Sequence, residues 1–180
     1  MRVIAGRYGG RRLTAPKGRT TRPTSERVRE ALFAMLGDVE GARVLDLFAG
    51  TGALGIEALS RGARQAVFVE CDRAAIEALQ NNLATLGLAG EEAQLRRERA
   101  DDALRRARKR KETYDLLLID PPYGQALQLG PPLSAALAGV LAPRARVVLE
   151  RDRRTPLDLG LELEKERRYG DTTIAIHRHA

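Results

Sequence analysis

The chain has 180 residues, of which 43% are hydrophobic, and this suits one globular domain rather than two full-size ones. With one cysteine, Cys71, and two histidines, it can form neither an intramolecular disulfide nor a zinc cluster of Cys and His ligands. No apolar run is as long as a membrane span, and the arginine-rich start lacks the apolar stretch of a signal peptide. We therefore expect a cytoplasmic protein that uses neither a membrane nor a metal.

The formal net charge of +7 is concentrated at the start of the sequence. Residues 1–25 contain seven Lys and Arg and no Asp or Glu, so the charges of the rest of the chain sum to zero. Seven cations without a counter-charge favour an anionic partner such as nucleic acid, whose phosphates they can contact. The candidate contacts are Arg2, Arg7, Arg11, Arg12, Lys17, Arg19 and Arg22. A second basic run, Arg105–Lys111, fits either an exposed helix face or another such contact.

Two elements are predicted before the main body. Residues 2–16 alternate loosely and are broken by glycines, which predicts a short hairpin or extended arm. A helix-start signal at Pro23-Thr24-Ser25 is followed by apolar residues at helical spacing up to Gly37. We therefore divide the chain into a basic arm with one helix, residues 1–37, and a main domain, residues 38–180.

The main domain alternates between strand and helix patterns. The predicted strands are Val44–Phe48, Gln65–Glu70, Ala93–Arg99, Tyr114–Asp120 and Ala145–Glu150, and the predicted helices are Ala53–Ser60, Arg73–Leu86, Asp102–Lys111 and Pro132–Leu141. A closing hairpin is predicted from Leu161–Arg168 and Thr172–His177. This alternation predicts an α/β fold with a mostly parallel, doubly wound, Rossmann-like sheet and an antiparallel hairpin at its edge.

A glycine-rich motif follows the first strand, where Gly50, Gly52 and Gly55 form a G-x-G-x-x-G pattern. In an open α/β sheet the ligand crevice lies beyond the carboxyl ends of the strands. Glycines there let the backbone pass close beneath a nucleotide-like ligand, and the amides at the helix N-terminus face it. The alternative is a tight turn that needs glycine only for packing.

Acidic residues follow the next two strands. Glu70 comes 18 residues after Gly52, close to the spacing at which a carboxylate accepts from both hydroxyls of a ribose; the alternative is a solvated strand-end charge. Asp101 and Asp102 follow the third strand, so one can reach an adenine amino group while the other caps the next helix. We favour Asp101 for the adenine, although capping by both remains open.

The tetrapeptide Asp120-Pro121-Pro122-Tyr123 follows the fourth strand. The two prolines stiffen the backbone and lack amide donors, so their carbonyl oxygens remain as acceptors. Tyr123 adds a flat ring beside the carboxylate of Asp120. Acceptors next to a stacking surface suit the exocyclic amine of a planar base. The alternative is a turn stiffened by proline after a buried strand.

Together, the segment from Asp46 to Ala63 and the DPPY tetrapeptide resemble S-adenosylmethionine-dependent amino-methyltransferases. More specifically, the chain is similar to the bacterial RsmD type, which methylates guanine N2 in 16S rRNA. Its arm (Arg2–Leu13), the segment Arg22–Glu30 and the tail Tyr169–Thr172 are similar too. The resemblance implies a class I methyltransferase fold, S-adenosylmethionine as cofactor with S-adenosylhomocysteine as product, and 16S rRNA or the small ribosomal subunit as partner. We expect a monomer.

The resemblance also implies roles for particular residues. Asp120, Pro121 and Tyr123 would hold the target base and carry the catalysis. The methionine and ribose of the cofactor would be lined by Asp46, Ala49, Gly50, Thr51 and Gly52, the ribose would be held by Glu70, and the adenine by Asp101. The cations of the arm would dock the RNA.

Three other classes of protein share parts of this pattern. An amino-methyltransferase of another RNA, of DNA adenine or of protein glutamine shares the cofactor motifs. An NAD-type oxidoreductase shares the glycine motif and Glu70 but has no use for DPPY. A non-catalytic RNA-binding protein on this fold would be expected to lose Gly50, Gly52 or Asp120, and all three are present.

Overall fold

The computed structural model describes residues 1–16, 25–121, 133–152 and 159–180. Its elements are, in chain order, α1 (Glu26–Leu36), β1 (Arg43–Asp46), α2 (Ala53–Ser60), β2 (Gln65–Glu70), α3 (Arg73–Leu86), β3 (Ala93–Arg97), α4 (Ala100–Lys109), β4 (Tyr114–Ile119), β5 (Leu141–Asp152), β6 (Glu162–Tyr169) and β7 (Thr172–Arg178). Residues 133–137 are also helical. Within these described ranges, no helix is both long enough and apolar enough to cross a bilayer.

The seven strands form one sheet in the order β3-β2-β1-β4-β5-β7-β6. The first five are parallel, and β7 pairs antiparallel with both β5 and β6. This confirms the predicted doubly wound sheet with an antiparallel hairpin at its edge. Because the chain moves outward from β1 to β3 and then returns to β4, the strand order reverses between β1 and β4, which is where ligands bind in such sheets.

Most predicted elements have the observed bounds or differ by a few residues, but the helix predicted at Pro132–Leu141 is wrong in its last four residues. Residues 133–137 are helical, residues 138–140 form a turn, and β5 begins at Leu141. Leu141 pairs with Tyr114 at the start of β4. The helix ends before Gly139, a residue that disfavours helix, and the turn and this strand pairing replace the last predicted helical turn.

Helices cover both faces of the sheet. On one face, the apolar side chains of α1, α2 and α3 pack together with the arm; on the other, those of α4 pack with residues 133–137. The central strands are buried on both sides, as in β4, where Leu116, Leu117 and Leu118 are fully enclosed. Continuous burial explains why these strands read as apolar runs.

The described part of the arm is a hairpin that packs into the main core. Arg2 and Arg12 form an antiparallel bridge, and Val3 and Leu13 are only 1% and 5% exposed. Gly6 has φ +81°, and a Cβ on it would lie 1.7 Å from the carbonyl oxygen of Ser60 at the end of α2. Glycine is therefore required for the arm to approach α2 this closely.

Candidate active site

The glycines of the motif do not all serve the same purpose. A Cβ on Gly52, which has φ +80° and caps α2, would lie 2.3 Å from Cδ1 of Leu79. A Cβ on Gly55 would lie 2.4 Å from Cε1 of Phe68. These two glycines are required by packing, as the alternative interpretation of the motif held.

Among the described residues, nothing fills the side-chain face of Gly50. Its φ is +54°, and the nearest described atom to a Cβ there would be the carbonyl oxygen of Phe48, at 4.0 Å. The loop lies at the carboxyl end of β1, next to β4, where the strand order reverses. The backbone at Gly50 is therefore accessible to a ligand in the way that the nucleotide-binding interpretation of the motif requires.

Asp46, the last residue of β1, lies beneath this loop. It is 1% exposed, and its Oδ2 accepts a hydrogen bond from the amide of Gly55 at 3.0 Å. Burial raises the pKa of Asp46 to about 7; the Gly55 amide opposes this shift, and the negative charge of Glu70 adds to it. Asp46 thus supports the first turn of α2 and titrates near neutral pH.

We expect Asp46→Asn to weaken the pH dependence of stability, because Asn keeps an acceptor for Gly55 but cannot ionise. The folded-state pKa of about 7 lies above the ordinary value of 3.8, so in the wild type this stabilisation is complete below about pH 4 and is lost as pH rises through 7. From pH 5 to 8 the wild type should lose roughly 2–3 kcal/mol relative to the variant. Urea unfolding at several pH values measures this, and parallel curves would contradict it.

Glu70 joins the glycine loop to the start of α3. Its Oε2 accepts from the amide of Gly50 at 2.8 Å, and its Oε1 accepts from the amides of Cys71 and Asp72 at 2.7 and 2.8 Å. A carboxylate offers about four lone-pair sites, and three are occupied by these bonds. Glu70 therefore has room for one ribose hydroxyl, not for both as predicted, unless it releases an amide.

Asp101 and Asp102 lie in the first turn of α4, but the N-cap position belongs to Arg99, so the predicted capping role is wrong for both. Instead they form ion pairs: Asp101 with Arg99 and Arg105 at 3.3 and 3.4 Å, and Asp102 with Arg105. Although burial acts to raise the pKa of Asp101, its own backbone amide and the charges of Arg105 and Arg99 lower it below its usual value. Asp101 is thus an ionised acceptor beyond β3.

Asp120 and Pro121 follow β4 directly. Leu118 of β4 is level with Asp46 of β1, so Asp120 emerges two residues beyond that level on the strand next to the glycine loop. Asp120 is half-buried and Pro121 is buried. Pro122 and Tyr123 lie outside the described residues. Sequence reasoning placed Asp120 at this edge of the sheet, and the strand register agrees.

Asn82 on α3 connects the arm to the glycine loop, and sequence reasoning missed it. It is 2% exposed, and its Nδ2 donates to the carbonyls of Thr51 and Thr14 at 2.9 and 3.0 Å. Its Oδ1 accepts from the amide of Thr14 at 2.7 Å. The signal was a polar residue on the apolar stripe of α3, between Leu79 and Leu86.

We expect Asn82→Ala to destabilise the protein by about 2–3 kcal/mol, because it removes three hydrogen bonds of a buried side chain and leaves the carbonyl of half-buried Thr51 and the backbone of Thr14 without that partner. The exposed neighbour Asn81 is a matched control, and Asn81→Ala should change the free energy of unfolding by less than about 0.5 kcal/mol. Urea unfolding compares the two variants. Equal stability of the two would show that the Asn82 bonds contribute nothing.

Glu57 on α2 attaches the arm to the main domain, and sequence reasoning missed this residue too. It is fully buried as the one charged residue of α2, and its carboxylate accepts from the amides of Ile4 and Ala5 at 2.8 and 3.1 Å. Two arginines flank it, Arg61 at 2.7 Å and the fully buried Arg29 at 3.7 Å. A lone acid in an otherwise apolar helix was the signal available in the sequence.

Two of the arm cations form ion pairs with carboxylates from outside residues 1–25. The expectation that the arm cations have no counter-charge is therefore wrong for these two. Arg2 pairs with Glu26 at 3.0 Å, and Arg7 pairs with Glu92 at 3.1 Å. Both pairs are largely exposed, and such pairs contribute only about 0–1 kcal/mol, so a phosphate can compete for the arginine. Arg11 and Arg12 are exposed, and Lys17, Arg19 and Arg22 lie outside the described residues.

Comparison with known proteins places the chain in a family. The family model described as conserved hypothetical protein 95 matches residues 1–178. YlbH of Bacillus subtilis is 41% identical over 187 residues, which cover 99% of this chain and 98% of YlbH. Ribosomal RNA small subunit methyltransferase D of Escherichia coli is 41% identical over 128 residues, 71% of this chain and 62% of that protein.

The chain belongs to the RsmD family of methyltransferases. Its fold is shared by the RsmD family and by other methyltransferases. The Thermus thermophilus 16S rRNA N2 G1207 methyltransferase, RsmC, solved in complex with AdoMet and guanosine, superposes with a TM-score of 0.70 and is 27% identical. The match covers 91% of this chain and 44% of RsmC. The predicted family and the Rossmann-like fold are therefore confirmed.

Proposed function

We propose that this RsmD-family protein transfers a methyl group from S-adenosylmethionine to the exocyclic N2 amine of a guanine in 16S rRNA. The observation that carries the proposal is the position of Asp120 and Pro121 on the strand next to the glycine loop. The rRNA methyltransferase named among the relatives and the RsmC complex with AdoMet and guanosine support the cofactor, the RNA and the base.

The residues at the carboxyl edge of the sheet fit S-adenosylmethionine. The open face of Gly50 and the N-terminus of α2 admit a ligand close to the backbone, and Glu70 keeps one lone-pair site for a ribose hydroxyl. Asp101 beyond β3 is the proposed acceptor for the adenine amine. When bound, the cofactor supplies an electrophilic methyl group on a sulfonium. Asp46 orients the first turn of α2 by accepting a hydrogen bond from the amide of Gly55.

The chemistry requires the acceptor nitrogen to lie in line with the methyl carbon and about 3–3.5 Å from it. Guanine N2 is a weak nucleophile because its lone pair is delocalised into the ring. Hydrogen bonds from N2 to the Asp120 carboxylate and the Pro121 carbonyl would draw it toward tetrahedral geometry and stabilise the positive charge that develops there. Tyr123 would stack on the extruded base. Asp120 or a water would then accept the proton.

The arm is proposed to hold the RNA through phosphate contacts, which position a nucleic acid without reading its sequence. Because the hairpin packs against α2 and is linked through Asn82 to the glycine loop, RNA held by the arm is held at a defined position relative to the cofactor loop. This supports residues 1–37 as the RNA-docking part and residues 38–180 as the methyltransferase domain.

Purified protein with labelled S-adenosylmethionine, presented with naked 16S rRNA, small subunits, DNA and protein in turn, tests the proposal. We expect label only in rRNA, at N2 of a single guanine after nuclease mapping. Label in DNA or protein alone would overturn the proposal. In the same assay, Glu70→Ala should weaken cofactor binding by about tenfold or more, the effect of one charged hydrogen bond, while Glu77→Ala on the exposed side of α3 should not.

A further inference from the structure

Charge is unevenly distributed within the part of the chain whose charges sum to zero. Residues 96–112, which contain the end of β3, all of α4 and the turn after it, have nine Lys and Arg against four Asp and Glu, a net charge of +5. A neutral total thus conceals a strongly basic region outside the arm.

The four acidic residues of this region already form ion pairs with its arginines. Asp101 and Asp102 pair with Arg105, Glu98 pairs with Arg106, and Glu112 pairs with Arg96. Besides Arg97 at the end of β3, what remains is a continuous run of four exposed cations at the C-terminal end of α4, which we call the α4 basic cluster: Arg108, Lys109, Arg110 and Lys111. Across the described ranges, none of the four forms an ion pair with a carboxylate. By contrast, two of the four described arm arginines do.

We propose that the α4 basic cluster is a second surface that contacts phosphates of the rRNA. The inference rests on the proposed function, and it assigns a role to the basic run that the sequence left open. Four adjacent like charges repel one another, and phosphates that neutralise them release condensed counterions, which favours binding. The helix dipole also favours cations at this end of α4, and that effect requires no partner.

The location of the α4 basic cluster predicts how long an RNA must be to contact it. The arm packs on the face of the sheet that carries α1 to α3, whereas Leu104 and Ala107 of α4 pack on the opposite face. RNA that contacts both surfaces must pass around the edge of the molecule. A short RNA hairpin that presents the target base would contact the arm and the active site but would be too short to reach the α4 basic cluster. The cluster would therefore bind only long or assembled rRNA.

The variant Lys109→Gln/Arg110→Gln removes two charges with little structural risk. Arg108 is retained because its side chain packs over Gly139, and Lys111 is retained because its φ of 54° makes any substitution harder to interpret. Arg167→Gln/Arg168→Gln is the control for the number of charges removed, since both residues are exposed on β6, at the far edge of the sheet from β3; Arg168 lies 3.9 Å from a carboxylate oxygen of Glu166. Both variants keep the arm and the site intact.

Affinity for full-length 16S rRNA, for small subunits and for a short target hairpin is measured over a salt series, with thermal unfolding in parallel. For 16S rRNA we expect the α4 variant to bind about tenfold more weakly at low salt, with a salt slope smaller by about 1.5, the value for two lost phosphate contacts. Hairpin affinity, cofactor affinity and the control variant should match the wild type.

Several outcomes would overturn the inference. Unchanged affinity and salt slope on 16S rRNA would leave the cluster with its helix-stabilising role alone. An equal loss in the control variant would indicate a general effect of net charge. A loss on small subunits but not on naked 16S rRNA would indicate a protein partner. If the wild type neither binds nor methylates rRNA, the proposed function fails as well, whereas normal methylation with unchanged binding by the variant removes only this inference.

Discussion

We expect Asp120→Ala to abolish methyl transfer while cofactor affinity changes less than about twofold. In the proposed mechanism the Asp120 carboxylate contacts the amine of the target base and not the cofactor. This interaction strengthens as positive charge develops on the amine nitrogen. Removal of one such group commonly lowers turnover by about 10² to 10³-fold. Single-turnover methyl transfer and calorimetric titration of the cofactor measure the two effects separately.

Two further variants make this result specific. Asp120→Asn keeps the shape and a neutral acceptor oxygen but loses the negative charge that would stabilise the methylated nitrogen, so its turnover should lie far below the wild type and above the alanine variant. Asp171→Asn removes an equal charge at the exposed turn between β6 and β7 and should leave activity unchanged. Full activity in Asp120→Ala would exclude the proposed role of this carboxylate.

The largest loss of stability is expected from Glu57→Ala, at about 3–5 kcal/mol, because it leaves the buried Arg29 without its charge partner. Burial lowers the pKa of the Arg29 guanidinium, and the negative charge of Glu57 opposes that shift. Among the described residues, two nitrogens of Arg29, Nε and Nη1, already lack a hydrogen-bond partner. The variant also removes the acceptor for the amides of Ile4 and Ala5, so the arm loses its attachment to α2.

Urea unfolding of three variants separates these contributions. Glu30→Ala changes an exposed acid on the same helix as Arg29 and should cost less than about 0.5 kcal/mol. Adding Arg29→Met to Glu57→Ala should recover part of the loss, since the unpaired buried charge is then absent. If Glu57→Ala proves as stable as Glu30→Ala, the buried network does not hold the arm.

The contrast between Glu57 and Asp120 shows which site features are visible in a sequence. Asp120 is part of a local pattern, a strand followed by two prolines, and its position at the edge of the sheet follows from that pattern alone. Arg61, four residues on, is a local partner of Glu57, but its other partners are 28 to 53 positions away: Arg29 on α1 and the amides of Ile4 and Ala5 in the arm. No local pattern contains Arg29 or the two arm amides.

Charge shows the same division. Arithmetic on the sequence placed the whole basic excess in residues 1–25, and the structure pairs two of those cations with Glu26 and Glu92. The same structure leaves four cations at the end of α4 without carboxylates across the described ranges. Net charge is a sum over the chain, whereas availability to a partner depends on which opposite charges fold nearby.

By itself, the sequence determined the order of strands and helices along the chain and the motifs that follow the strands, because hydrophobic periodicity, glycine and proline act on the backbone within a few residues. Only the tertiary structure decided that Gly52 and Gly55 serve packing while Gly50 faces the crevice. It also decided that three amides already occupy the Glu70 carboxylate and that Asn82 joins the arm to the loop. These features depend on contacts between residues far apart in the chain, and such contacts exist only once the sheet has formed.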